Sequence, residues 1–530
     1  MNRTWIWTWA YILLATITCA VSRGKEESLH PDSESFKKSG YDYLWMVIQN
    51  ESDELAPESP SDKQQHFELI DMTIRASSHY GSRIKSQRDS LRAMYPELLE
   101  IDDTPPLYVQ YRYHSSQPSW EGQDQDFRWH GERLLEIAYQ MDETGYPDYL
   151  SAVAWLRAAS YLEEAGAEED RSTVILAREH GIDLLVKAAA LRGVEPRFHE
   201  YLALRIANHG SIYTTLPRDD KLELNARLIA DQDADPWIGQ FSTGSLERTL
   251  AWEARGSDYA ANVTERQWRG FERHLVKAHR HLTKAWKIHP AWPEAATELI
   301  TVTMGHQMRN DRDINFWFEQ AINARIDDYS AYVDFAYALT PKWQGSMEHL
   351  YGLMGFIIAQ SEEHDNMGRA LVGVMSTASN QIEEPLAILT DERLLTHATR
   401  LMLHEVEHGP EYHHNPWRYK NLRALALGHF ENGDYRQASE LLSMGGGMVE
   451  KGWTTWPESR RFRQYLPLLA SQASDEVITG LEALDSDDVT KAHKAYLQAL
   501  EVLKEDLKNI NPEFDGDPIH EIERLIQITE

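Results

Sequence analysis

From Lys63 to the C-terminus, apolar residues recur three and four positions apart in one segment after another: HFELIDMTIRASSHYGSRIKSQRDSLRAMYPELL, GERLLEIAYQMDETG, YLSAVAWLRAASYLEEAG, STVILAREHGIDLLVKAAALRG and FHEYLALRIANHG. That spacing places the apolar side chains on one face of a helix, and no run of strict alternation competes with it, so the chain is predicted to be all-α. Three of these segments close on Gly145, Gly166 or Gly193, as a helix ending in a left-handed residue does. Pro96 is read as the end of the first segment. Residues 102–128, with Pro105-Pro106, Pro118 and Gly122, interrupt the pattern, and LYVQYRY within them is read as an extended connection with strand character. Upstream, Phe36 to Ile48 is apolar enough to dock as a helix, and ESDELAPESPSD from Glu51 to Asp62 reads as an acidic linker.

The helices show partial repeats. In LALGHFENGDYRQASELL, the turn Gly433-Asp434-Tyr435 joins two helices, and Ala438 opens the second with a small residue. Ala285 in KAW and Ala321 in FEQAI hold comparable places, as do Ala492, Tyr496 and Ala499 near the C-terminus. Hairpins with small and aromatic residues in this phase point to a tetratricopeptide-like α-solenoid. The expected organisation is a signal segment at 1–22, a partly ordered segment and linker at 23–62, and helical regions at 63–250, 251–360 and 361–530.

The middle region carries the most specific pattern. In AWEARGSDYAANVTERQWRGFERHLVKAHRHLTKAW, Thr264 and Gln267 form a Thr-x-x-Gln capping box that predicts a helix starting at Glu265. Trp268, Phe271, Leu275, Ala278, Leu282 and Ala285 then form one stripe, read as core. Trp252, Trp286, Trp292, Trp317 and Trp343 are read as aromatics locking helical hairpins rather than as a ligand platform. Trp252, Ala254, Arg255, Gly256, Tyr259, Ala260, Val263, Thr264, Trp268, Phe271, Leu275 and Ala278 together resemble an uncharacterised bacterial family known only as a domain of unknown function. The similarity continues through Trp343 to Ser346. The resemblance implies tetratricopeptide-like helices and supplies no activity.

Composition narrows the function. Among 530 residues, 53 Lys plus Arg stand against 84 Asp plus Glu, a formal net charge of -31, with 42% hydrophobic residues and a single Cys. So acidic a chain repels phosphate backbones, and no nucleic-acid partner is expected. At the N-terminus, Arg3, the uncharged run Thr4 to Ser22 and small residues at Thr18, Ala20 and Ser22 form an export signal cleaved after Ala20 or Ser22. The alternatives are an uncleaved inner-membrane anchor at 4–22 or a lipoprotein attached through Cys19, and only these would bring the protein to a membrane. Cleavage leaves no cysteine and hence no disulfide framework.

The chemistry that stands out is His404-Glu405-Val406-Glu407-His408. On a helix the two histidines share a face and could hold zinc while Glu405 activates its water, with His414 as a third ligand. Against this, Glu407 is acidic where zincins are uncharged, and Gly409-Pro410 stops the helix at once. Acid pairs such as Glu163-Glu164 read as solvated faces rather than glycosidase carboxylates. No cofactor and no catalysis are expected. The sequence reads as an exported scaffold in the periplasm or secreted, binding an unidentified protein or peptide, with a basic partner favoured by the net charge. A zinc-dependent hydrolase and a glycan-binding or glycan-cleaving protein are the alternatives.

Overall fold

The computed structural model describes residues 32–56, 59–78, 95–100, 105–116, 127–166, 170–208, 216–258, 262–305, 313–343, 345–382, 384–408, 416–444, 460–505 and 518–529. Among them every regular element is helical and there is no strand. Their packing divides into two compact units, residues 24–331 and 332–530.

The first unit contains α1 (Ser33–Leu55), α2 (Pro60–Ser78), α3 (Leu107–Ser116), α4 (Phe127–Thr144), α5 (Asp148–Ala165), α6 (Arg171–Ala188), α7 (His199–Ala207), α8 (Arg218–Ala230), α9 (Pro236–Arg255), α10 (Glu265–Ile288), α11 (Glu294–Gly305) and α12 (Ile314–Ala324). The boundary falls within α13 (Tyr329–Ala338). The second unit continues with α14 (Met347–Gln360), α15 (Gly368–Ser379), a single turn at Leu386–Leu389, α16 (Glu392–His408), α17 (Pro416–Glu431), α18 (Tyr435–Met444), α19 (Arg460–Leu469), α20 (Ser474–Asp485), α21 (Val489–Glu505) and α22 (Pro518–Thr529).

Helices pack chiefly on their neighbours in sequence: α4 on α5, α5 on α6, α9 on α10, α17 on α18 and α20 on α21. The turns have the expected chemistry. Gly145, Gly166, Gly193 and Gly433 all adopt positive φ. After α17, Gly433 N–H donates to Phe430 O and Asp434 N–H to His429 O, which satisfies the last carbonyls of the helix.

Three local expectations are corrected. LYVQYRY is helical, not extended: it begins α3, whose Leu107, Tyr108, Val109 and Tyr111 are all buried. A helix buried on several sides has no polar face, so its period is hidden. The acidic stretch from Glu51 is helical as far as Leu55, because Glu51 Oε1 accepts from Leu107 N–H at 3.0 Å and Glu51 Oε2 from the Tyr146 hydroxyl. Only 56–59 separates α1 from α2. Pro96 lies within the helical stretch 95–100 rather than ending it. The signal segment 1–22, with Cys19, lies outside the described residues. Among the described residues no helix is long and apolar enough to cross a membrane.

Candidate functional site

α9 and α10 form the most extensively packed pair. Asp235 caps α9 by accepting from Trp237 N–H at 2.8 Å, with Pro236 at the first helical position. At Gly244 a Cβ would sit 2.6 Å from the Leu282 side chain and 3.1 Å from its backbone nitrogen, so glycine sets how closely the helices approach. The hairpin closes as predicted. Thr264 and Gln267 make both halves of the capping box, and α10 starts at Glu265.

Trp252, Arg255, Gly256, Thr264, Trp268 and Phe271 gather at this closed end. Arg255 is buried, donates from Nη1 to Gly256 O at 3.0 Å, and its guanidinium lies 5.8 Å from the Trp252 ring and 5.5 Å from that of Trp268. Phe271 meets both indoles edge-on, at 5.0 and 5.8 Å. Gln267 Nε2 donates to Arg255 O at 3.1 Å, tying the start of α10 to the end of α9. Two further residues named from the sequence are not among these contacts. Tyr259 is outside the described residues, and Trp343 belongs to the second unit, beside Tyr337 and Lys342. The core stripe needs one correction. Phe271, Leu275, Ala278, Leu282 and Ala285 are buried, but Trp268 is 36% exposed and forms a rim over Arg255.

The opposite face of α10 is its unusual feature. In a chain of net charge -31, these 24 residues carry seven Lys or Arg and two Glu. At 3.6 residues per turn, Arg266, Arg269, Arg273, Lys277, Arg280, Lys284 and Lys287 fall within an arc of about 80° and run along roughly 32 Å of helix. Lys277 pairs with Glu247 at 3.0 Å and Arg269 with Glu265 at 2.5 Å. Among the described residues, Arg273 and Arg280 meet the ring nitrogens of His274 and His281, at 3.4 and 3.2 Å. Among the described residues no carboxylate pairs with Arg266, Arg273, Arg280, Lys284 or Lys287. Burial holds the His281 imidazole below its ordinary pKa, and the charges of Arg280 and Lys284 push it further down. The strongly acidic chain therefore carries a local basic patch. The row is legible in RQWRGFERHLVKAHRHLTKAWK, at the same period as the apolar stripe and displaced from it around the helix.

A second concentration of charge lies inside the same unit. Arg325, at the end of α12, donates from Nη2 to Glu200 on α7 and from Nη1 to Glu294 of α11 at 3.2 Å. Its guanidinium covers the Phe36 ring of α1 at 4.2 Å. Next to it, Asp327 accepts from Ser33 N–H at 2.7 Å, and Asp328 from the Thr297 hydroxyl at 2.8 Å. Burial raises the carboxyls of both Glu200 and Glu294. The negative charge of Glu294 raises Glu200 further, against the pull of Arg325. These contacts join α1, α7, α11 and α12. Glu200 and Arg325 lie 125 positions apart, and nothing in their local sequence announces the pairing.

The HEVEH residues lie at the end of α16. His404 and His408 stack at 4.3 Å with planes 18° apart, and His404 Nε2 is 3.7 Å from an Asp365 carboxylate oxygen. Glu405 turns elsewhere: its Oε1 accepts from Arg369 N–H at 3.1 Å and so caps the first turn of α15. His414 lies outside the described residues. Among the described residues no group of three or more His, Cys, Asp or Glu is placed to hold a metal ion. No family model matches this chain, and no curated protein matches it.

Proposed function

We propose that the protein is an exported, non-enzymatic scaffold of tetratricopeptide-like helical hairpins that binds a protein or peptide in the bacterial cell envelope. The observation that carries this reading is the neighbour-on-neighbour packing of the helices, with short turns closed by glycine or a capping box. Stacked hairpins present long rows of side chains on fixed helices, an arrangement suited to gripping an extended segment. The step from architecture to binding is an analogy of fold, strengthened by the charged face on the best-packed hairpin. The hydrolase alternative is weaker, because the carboxylate it would use as a base is committed to the start of α15. The test is a pull-down from envelope extract with the chain beginning at residue 23, run beside a metal assay. A specific retained protein supports the scaffold. Stoichiometric zinc that survives dialysis, is lost in His404→Ala and accompanies peptide hydrolysis would replace it with the hydrolase.

A further inference from the structure

We propose that the solvent face of α10 is a docking surface for an acidic polypeptide segment, an inference that rests on the scaffold reading and names its partner class. Arg266, Arg273, Arg280, Lys284 and Lys287 project from a helix that the capping box fixes at its start and α9 holds along its length. Together with Arg269 and Lys277 they give about one cation per 5.4 Å turn. Glutamates three and four apart on a second helix have the same pitch, so cation can meet anion turn after turn. Val276, 46% exposed at the edge of the row, adds an apolar contact.

Charge complementarity favours a narrow partner over a broad polyanion. Exposed Glu265 and Glu272 flank the row on α10, and the rest of the chain is strongly acidic. Exposed charges are screened over about 10 Å at 0.1 M salt. A single acidic helix or strand can lie within the row, seeing mainly cations. A nucleic-acid duplex or a membrane surface extends beyond it and brings its phosphates against the flanking carboxylates. The net negative charge selects against anions elsewhere on the chain, so the row is also where an acidic partner is oriented.

The test uses the full exported chain and three probes: a fluorescent helical peptide with glutamates three and four apart, a short duplex DNA, and vesicles containing phosphatidylserine. Anisotropy titrations at about 50 and about 300 mM salt are expected to show peptide binding that weakens with salt. The triple variant Arg273→Glu, Arg280→Glu, Lys284→Glu is expected to weaken it at least about tenfold, with an unchanged circular dichroism spectrum. The charge-neutral variant Arg273→Gln, Arg280→Gln, Lys284→Gln should fall between the two. Equal binding by wild type and triple variant would overturn the proposal. So would tighter, row-dependent binding of DNA or vesicles, or self-association that the triple variant abolishes. If the row fails in any of these ways while the pull-down still retains a partner, the scaffold reading stands and only the partner class falls.

Discussion

The face of α10 and the buried cluster around Arg325 hold the same kinds of charge under opposite conditions. On α10, five basic side chains stand in water without a carboxylate among the described residues. Around Arg325, one buried guanidinium serves two carboxylates, Glu200 and Glu294. An exposed charge loses little by standing unpaired, since a surface ion pair contributes only about 0.2–1 kcal/mol. A buried charge must be matched, because desolvation in the interior costs several kcal/mol per ion. Charges tied up in the interior therefore hold helices together, whereas charges left unpaired at the surface are available to a partner.

The largest effect is expected at Arg325. Arg325→Met leaves two carboxylates buried without their cation and is expected to destabilise residues 24–331 by about 3–5 kcal/mol. Chemical denaturation read from hydrogen exchange in α7 and α11 would measure it. A loss below about 1 kcal/mol would mean that water reaches the cluster.

The pH dependence sharpens the same point. Because the Glu200 and Glu294 carboxyls are raised, the folded unit retains protons that the unfolded chain has released above about pH 4.3. The contribution of these groups to stability is therefore largest at low pH and is lost as pH rises through their folded-state values. Thermal melts should show the first unit weakening with rising pH, and Glu200→Gln should flatten that slope. A slope of opposite sign would contradict the assignment.

Smaller effects are expected at the helix starts. Glu405→Ala removes the cap on α15 and should cost the second unit about 1 kcal/mol, as should Thr264→Ala at the capping box of α10 in the first. The smallest expected effect is on α10 itself. Reversing Arg273, Arg280 and Lys284 should change stability by no more than about 0.5 kcal/mol each, since their charged ends do no structural work. A large loss there would mean that the row is part of the fold rather than a surface held ready.

What could be read in the sequence follows the range of the interactions. The start of α10 and the glycine-closed turns depend on residues within one helical turn of each other, and each was visible in the chain. α3 was misread because aromatic and β-branched residues buried all round leave no polar side to reveal the period. The extension of α1 to Leu55 depends on Glu51 meeting Leu107 and Tyr146, contacts that bridge 56 and 95 positions. The Arg325 cluster is equally non-local. Trp268 satisfied the core spacing yet lies at the rim, because it stands in the first turn of α10, at the closed end of the hairpin over Arg255. The basic row was overlooked for another reason: it has the same helical period as the apolar stripe, displaced around the axis, and net charge averaged over 530 residues concealed it.

The most direct test of the account is photo-crosslinking in the native organism from a reactive residue placed at position 273, with a second at exposed position 176 on α6 as the control. The account predicts a protein crosslink at 273 that maps to an acidic segment of the partner, fades in high-salt lysates and is absent from 176. Crosslinks to lipid or nucleic acid at 273, or the same protein captured equally from both positions, would contradict it.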